Sequence, residues 1–523
     1  MNLIPSYFNI FDYFLGEEKL SRIGHRTALE FRGSRITYHE LRREVDYWTE
    51  QILTCGVREG DRVALLLYDS PEFIACFLAS ASIGAICVPI NTYISPDEVM
   101  LILSDSGARA AIVEDELEWK VDDNSSSFSE RCSMLVVDTS GRHYLDPKDE
   151  IAPRPPLPAT TREAPAFMLY TSGSTGTPKG VLHLHGAIPA TVDTYSKSIL
   201  RLTQSDRVYS ASRLFFAYGL GNSLSFPLAE GATVILDTER PSAGHLASLF
   251  EEQAPRVFFG VPALYRSLLD LHAGGRRLDV SSLRLCVSAG EALPPAIFEE
   301  WRREFGLPIL DGIGSTEMLH IFISNTPERP RAGSSGLLVN GYEARLTSGG
   351  DEESGPERSG NLWVRGASAT ARYWNRPDLT GETIQDGWVK TGDLYRRDGE
   401  GFFYHVGRSD DCFKVRGLWV SPIEVESILL SHEAVSEAAV VAASDEKGLA
   451  TARAYLVIRE GRDLSNLREE LREFLSSRLP QYKVPSLFEF IGELPRTSTG
   501  KVQRFKLRAE GLARQPGGDN EDQ

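Results

Sequence analysis

Short apolar runs recur along the chain, each divided from the next by a polar turn and a stretch with helical spacing. Val63-Ala-Leu-Leu-Leu67, Ile86-Cys-Val-Pro-Ile90 and Ala110-Ala-Ile-Val113 read as buried strands. Between them, Ser70-Pro-Glu-Phe73 and Ser95-Pro-Asp-Glu98 open helices, the first ending near Gly84. Serine accepts from the free N–H groups of a first turn, and proline suits the first helical position. Upstream, a helical stretch starts at Ile36-Thr-Tyr-His-Glu-Leu41 and runs to about Cys55, while Phe8, Phe11, Tyr13 and Phe14 pack the N-terminus onto the body. A second alternation runs from about residue 208 to 310, with strands at Val208-Tyr-Ser-Ala211, Thr233-Val-Ile-Leu236, Val257-Phe-Phe259 and Leu283-Arg-Leu-Cys-Val-Ser288. Strands alternating with helices predict a parallel α/β sheet. Two such alternations predict two related subdomains, without a close sequence repeat between them.

The rhythm breaks in three places. Residues 120–165 are polar and rich in Ser and Pro, with a loop at Asn124-Ser-Ser-Ser127 and a linker over 153–165. From about 330 to 407, Gly, Asp and Glu turns separate short strands such as Gly360-Asn-Leu-Trp-Val-Arg365, which predicts a small β-rich subdomain. Around Gly407-Arg-Ser-Asp-Asp411 the chain enters another unit, with a helix near 422–430, strands at 438–442 and 452–457, a helix at 464–479 and a final basic segment. The predicted class is α/β. A large N-terminal domain over 1–409 holds two α/β subdomains and the small β-rich one. A small α+β C-terminal domain covers 410–523, with a disordered tail at about 515–523.

The candidate chemistry begins at Tyr170-Thr-Ser-Gly-Ser-Thr-Gly-Thr-Pro-Lys-Gly180, which follows the apolar strand Ala166-Phe-Met-Leu-Tyr170. Glycines let backbone N–H groups approach an anion, hydroxyls add donors, and Lys179 adds a positive charge. This is a phosphate cradle, but not a Walker loop, which ends Gly-Lys-Ser/Thr; here Pro178 precedes the lysine. Gly290-Glu291-Ala292 follows a strand and could line a planar ring. In Asp311-Gly-Ile-Gly-Ser-Thr-Glu317 the glycines permit close approach, and Thr316 with Glu317 could hold a phosphate oxygen and Mg²⁺. Trp388-Val-Lys-Thr-Gly-Asp393 ends in a carboxylate suited to a ribose diol, and Arg408 could add a ribose or phosphate contact. Leu494-Pro-Arg-Thr-Ser-Thr-Gly-Lys501 places a lysine on a Gly/Ser/Thr loop. Singly these are weak: an Asp-Gly pair is most often a turn, and a lysine after Thr-Gly most often faces solvent.

Composition narrows the partners. A net charge of −17 disfavours nucleic acid and anionic membrane. The six cysteines are scattered without metal-ligand spacing, which fits reduced thiols in a cytoplasmic protein. The N-terminus lacks a basic region followed by an apolar core, so no signal peptide is expected. No apolar run approaches the roughly 18 residues a membrane span needs.

Taken in order, Tyr170 to Gly180, Gly314-Ser-Thr-Glu317, Lys390-Thr-Gly-Asp393, Gly407-Arg-Ser-Asp-Asp411 and Thr497-Ser-Thr-Gly-Lys501 resemble the adenylate-forming superfamily of acyl-CoA synthetases, adenylation domains and luciferases. The resemblance extends from about residue 36 to 508. Leu214-Phe-Phe-Ala-Tyr-Gly-Leu-Gly-Asn222, Ser288-Ala-Gly-Glu-Ala-Leu293, the stretch 310–322 and the stretch 407–417 look most like benzoate-CoA ligases.

The resemblance implies two half-reactions. A carboxylate attacks the α-phosphorus of Mg-ATP to give an acyl adenylate and pyrophosphate, and the thiol of coenzyme A then displaces AMP. Thr171, Ser172, Gly173, Ser174, Thr175, Gly176 and Lys179 would hold the phosphates, Thr316 the α-phosphate and Glu317 the Mg²⁺. Gly290, Glu291, Ala292 and Asp311 would surround the adenine, Gly312 and Ile313 would add to the ATP/AMP site, and Asp393 and Arg408 would hold the ribose. Phe216, Ala217, Tyr218, Gly219, Gly314, His320 and Ile321 would line a compact aryl pocket for a small aromatic carboxylic acid. Lys501 would bridge the carboxylate and α-phosphate. Asp410 would be the hinge of a mobile C-terminal domain, and Lys414, Arg416 and Gly417 would flank the path of coenzyme A. The alternative acceptor is the phosphopantetheine arm of an acyl carrier protein, which presents the same thiol.

Overall fold

The computed structural model describes residues 7–121, 132–138, 158–172, 178–348, 351–352, 358–409, 411–416, 418–444, 449–459, 461–462, 464–496 and 502–513. The apolar runs become strands. Arg62–Leu66 pairs in parallel with Ile86–Pro89 on one side and Ala110–Glu114 on the other. Pro165–Ser172 joins beside Ile86–Pro89, and Pro178–Leu184 folds back against it, in a sheet of seven strands among the described residues. The helix Pro71–Ser82 is capped by Ser70, whose hydroxyl accepts from the Phe73 N–H at 3.2 Å, and it is buried along its whole length. Ser95 and Glu98 close a reciprocal capping box at the start of Pro96–Ser106.

The helix expected from Ile36 starts later. Ser34–Thr37 is a strand, antiparallel to Thr27–Phe31, with Ile36 opposite Leu29. The β-branched Ile36 is buried on that sheet, while Thr37 and Glu40 form the capping box of the helix Tyr38–Thr54. Thr27–Phe31 also lies parallel to Thr233–Leu236, so the N-terminal hairpin edges the second sheet rather than the first. From that hairpin the second sheet continues through Thr233–Leu236, Arg207–Ser210, Val257–Gly260, Leu285–Ser288, Ile309–Gly314, Ile321–Ser324 and Leu337–Leu338. Its strand at Leu285–Ser288 is shorter than expected, because Leu283 N–H turns back to the Val280 carbonyl.

A third sheet is antiparallel throughout and includes Tyr342–Ser348, Arg358–Gly366, Trp388–Arg397 and Phe403–Arg408. Beyond it, Val435–Ser444, Ala450–Ile458 and Leu487–Phe490 form a separate sheet, covered by the helices Pro422–Leu429 and Leu467–Ser476. Val415, Val425, Leu429, Val440, Leu456, Leu471 and Phe488 share an apolar cluster of their own, apart from the main core. The expected loop at 124–127 and the tail at 515–523 lie outside the described residues. All six cysteines are free thiols.

Candidate active site

The expected phosphate loop joins two antiparallel strands. Thr171 pairs with Lys179 and Ser172 with Pro178, so the segment between them leaves and re-enters the sheet at matched positions. Gly173, Ser174, Thr175 and Gly176 lie outside the described residues. The strand pair is anchored from below. The Tyr170 hydroxyl donates to Asp105 Oδ2 at 2.6 Å, and the Trp374 N–H donates to the Gly180 carbonyl at 2.7 Å. A Cβ at Gly180 would fall 2.6 Å from Met168 Sδ and 3.0 Å from Tyr170 Cζ, so a larger residue there would displace these side chains.

Thr316 and Glu317 sit in the turn between Ile309–Gly314 and Ile321–Ser324, where Gly314 pairs with Ile321. The turn is tight: Leu319 has φ 67°, and a Cβ on Gly314 would lie 2.6 Å from the His320 carbonyl oxygen. Three residues outside the expected set tie this turn to the phosphate hairpin. His183 Nε2 lies 2.8 Å from the Thr316 carbonyl. Burial pushes His183 down to about 4, so the ring is neutral, and because a carbonyl only accepts, Nε2 carries the proton. The Thr370 N–H donates to the Glu317 carbonyl at 2.6 Å, and its hydroxyl to the Leu182 carbonyl at 2.7 Å. The Tyr373 hydroxyl donates to Glu317 Oε1 at 2.7 Å, from a short strand that pairs with Val181 and Leu182. His183 is hard to find in sequence, because it stands in a strand buried from Gly180 to His183 and its partner, the Thr316 carbonyl, lies in a distant segment.

Asp393 and Arg408 meet as expected, across paired strands, with Arg408 Nη1 3.2 Å from Asp393 Oδ1. His405 Nε2 adds a third group, 3.4 Å from the same oxygen. Gly260, Ser288 and Asp311 form a row across three parallel strand ends, the edge at which open α/β sheets bind ligands. The Asp311 carboxyl is buried, and among the described residues neither its Oδ1 nor Ser288 Oγ has a hydrogen-bond partner. Burial pushes the Asp311 carboxyl upward, opposed by the Leu293 and Gly312 N–H groups. Gly290, with φ 94°, follows the strand Leu285–Ser288, and the neighbouring Glu291 lies 3.9 Å from Arg496.

Arg496, which is bridged to Val502, brings its guanidinium to Glu291. Lys501 itself, Asp410 and Gly417 lie outside the described residues. Lys414 and Arg416 are exposed on the hairpin of Phe413–Val415 and Leu418–Val420.

The expected aryl wall is a short helix, Ala217–Leu220, entered through Phe216. Phe216, Ala217 and Tyr218 are half-buried, and Gly314 is exposed. The Tyr218 ring lies 5.5 Å from His320 and 6.0 Å from Phe259. His320 is more enclosed than a simple wall residue. It is 2% exposed, packs on Tyr195 and Phe226, and places Nε2 3.1 Å from Asn222 Oδ1. Burial pushes it down to about 3, so this ring too is neutral. A Cβ on Gly221 would overlap the His320 ring, which explains the second glycine of the motif. Ile321 is buried behind Gly314.

The site and fold define an adenylate-forming enzyme, and the comparisons agree. Residues 16–374 match the AMP-binding enzyme family and residues 424–501 its C-terminal domain. The chain belongs to the AMP-binding enzyme family. It is 39% identical over 516 residues to a benzoate–CoA ligase of Thauera aromatica, covering 97% of each chain. It is 36% identical over 494 residues to an anthranilate–CoA ligase of Pseudomonas aeruginosa, covering 91% of this chain and 92% of that one. The crystal structure of the anthranilate CoA ligase AuaEII with anthranoyl-AMP superposes with a TM-score of 0.92 at 36% identity, covering 98% of both chains. A benzoate CoA ligase from Burkholderia xenovorans gives 0.87 at 37% identity, covering 96% of this chain and all of that one.

The His183 link carries a pH signature. Its folded value is depressed to about 4 from the ordinary 6.5, so below 6.5 the unfolded chain takes up a proton that the folded chain refuses. The stabilisation is complete above 6.5 and is lost as the pH falls toward 4. Urea unfolding of the native chain should therefore weaken across this window by up to about 3 kcal/mol more than that of His183→Gln. Parallel pH curves for the two proteins would remove the buried neutral ring from the account.

Proposed function

We propose that this chain is an AMP-forming aryl-CoA ligase that activates benzoate or a simple substituted benzoate, such as 2-aminobenzoate. The observation that carries this reading is the stapling of the phosphate hairpin, through His183, to the Thr316-Glu317 turn, whose other end, His320, packs on the aryl wall at Tyr218. The benzoate and anthranilate ligases among the relatives support the same substrate class. A carboxylate is a poor electrophile, and its conversion to a mixed anhydride with AMP supplies a good leaving group. Catalysis of this kind is mostly positioning and charge neutralisation.

In this reading Thr171, Ser172, Gly173, Ser174, Thr175, Gly176 and Lys179 hold the ATP phosphates, and Thr316 holds the α-phosphate. Gly290, Glu291, Ala292 and Asp311 enclose the adenine, Gly312 and Ile313 add to the ATP/AMP site, and Asp393 with Arg408 takes the ribose. Phe216, Ala217, Tyr218, Gly219, Gly314, His320 and Ile321 enclose the ring. Lys501 bridges the carboxylate and α-phosphate. Among the described residues no cluster of three or more His, Cys, Asp or Glu could hold a metal ion. The single Glu317 carboxylate, oriented by Tyr373, suits a Mg²⁺ ion that arrives on phosphates and needs only one or two protein ligands. Such an ion would neutralise phosphate charge. Residues 1–409 form the body and 410–523 a unit that turns about Asp410, bringing Lys414, Arg416 and Gly417 to the coenzyme A path. No helix among the described residues is long and apolar enough to cross a membrane, and we place the enzyme in the cytoplasm.

Incubation with ATP, Mg²⁺ and coenzyme A, read by mass spectrometry, tests the reading. Benzoate, 2-aminobenzoate and the hydroxybenzoates should give thioesters, whereas phenylacetate and hexanoate should give little. Adenylates without a thioester would make a carrier-protein arm the acceptor. Lys501→Ala should slow pyrophosphate release by about 10²–10³-fold; release at the native rate would take Lys501 out of the mechanism. Tyr373→Phe, which frees one oxygen of Glu317, should slow the same step by about tenfold or more and raise the Mg²⁺ requirement. An unchanged Mg²⁺ titration would count against that role for Glu317.

A further inference from the structure

Behind the aryl wall lies a buried polar knot that the reaction does not use directly. Asp69 stands between the strand Arg62–Leu66 and the helix Pro71–Ser82, and is 3% exposed. Its Oδ1 accepts the Leu214 N–H at 3.0 Å, and its Oδ2 lies 3.9 Å from Arg213 Nη1. Arg213 is 5% exposed and holds the other side of the knot. Its Nε donates to the Tyr93 hydroxyl at 3.2 Å, and its Nη2 donates to the Thr238 carbonyl at 3.2 Å. It also donates to the carbonyls of Asp237 and Glu239, just past the strand Thr233–Leu236.

The next residues of this segment are the aryl wall. The Phe216 N–H donates to the Arg213 carbonyl at 3.0 Å, and a Cβ at Gly219 would fall 1.9 Å from that carbonyl oxygen. Residues 213–219 are thus wound on Arg213, and the Tyr93 ring meets Phe215 edge-on at 5.9 Å. Arg213 has carbonyl and hydroxyl acceptors without Asp69, whereas the shortest polar contact of Asp69 is the Leu214 N–H. The carboxylate therefore acts on this segment twice, through the oxygen that accepts the Leu214 N–H and through its charge beside the Arg213 guanidinium.

The geometry points to Asp69 as a positioning residue for the aromatic acid: from the first sheet it clamps Leu214 and Arg213, and so sets where Phe216, Ala217 and Tyr218 stand. This rests on the aryl-pocket reading above. Burial pushes Asp69 up to about 6, opposed by Arg213 and the Leu214 N–H and reinforced by Asp237. The groups facing the knot are Arg213, Asp237, Tyr93 and Tyr209, with His245 and Glu239 beyond Asp237. As the pH falls through about 6, Asp69 gains a proton and loses its hold on Arg213, and the wall loosens.

The test compares native protein with Asp69→Asn, whose amide keeps the size and the acceptor for Leu214 but carries no charge at any pH. Pyrophosphate release is followed from pH 7 to 5 with benzoate or ATP varied. Native KM for the acid should rise by up to about tenfold more than that of the variant, because the ionised fraction falls about tenfold per unit below the pKa. KM for ATP should move in parallel in the two proteins. Equal acid profiles, or an equal shift in KM for ATP, overturn the proposal. Hydrogen exchange gives a reading that needs no turnover: Asp69→Asn should quicken exchange across 212–220 at pH 7 and leave the helix Leu467–Ser476 unchanged. Unchanged exchange across 212–220 also overturns it. A native enzyme that releases no pyrophosphate with any aromatic acid refutes the functional reading instead, while exchange still decides whether Asp69 holds the segment.

Discussion

The hydrogen bond from His183 to the Thr316 carbonyl holds together two segments that the chain keeps far apart. A polyanion site needs donors from several elements aimed at one place, and each element would otherwise settle independently. Burial makes the imidazole neutral, and neutrality is what lets it donate without bringing an uncompensated charge into the core. Thr370 and Tyr373 repeat the link on the other side of the same turn, through the backbone and side chain of Glu317. A hydrogen bond of this kind contributes only about 0.5–1.5 kcal/mol net. Its larger effect is on geometry, since leaving the Thr316 carbonyl or the His183 ring unpaired inside the protein costs more than the bond gains.

The motifs of the candidate site stand out in the chain as glycines beside polar and charged residues: the Thr171 to Lys179 segment, the turn carrying Thr316 and Glu317, and Asp393 with Arg408. The roles expected of them come from the family resemblance, while the structure shows how they are placed. The helices opened by Ser70 and Ser95 were legible because caps act within one turn. The failures are non-local. Ile36 has helix-compatible neighbours, and only the partner strand at Leu29 makes it extended. His183, Thr370 and Tyr373 bear no local mark, since their partners lie in other segments. His320 could be flagged as polar in an apolar stretch, but its enclosure by Tyr195, Phe226 and Asn222 is a property of the folded pocket.

Several ionisable groups near the site are buried against their charged forms. His183 and His320 are driven neutral, and burial pushes both Asp311 and Asp69 upward, toward neutrality. Such groups add little to stability compared with apolar residues of the same volume. Their common effect is to leave a low-charge interior around a reaction whose substrates are themselves anions. Asp311 Oδ1 and Ser288 Oγ, in adjacent strands, are buried without a hydrogen-bond partner among the described residues.

The contacts that fasten residues beyond 413 to the body include Arg459 to Asp270 at 2.9 Å and Arg496 to Glu291 at 3.9 Å, while the apolar clusters of the two parts remain separate. Ion pairs between partly exposed groups contribute about 0–1 kcal/mol each, and their reach shrinks to about 8 Å at physiological ionic strength. Among the described residues the seam thus shows weak polar fastenings and no apolar cluster shared by its two sides. Rising ionic strength should weaken those fastenings while leaving the two apolar cores untouched.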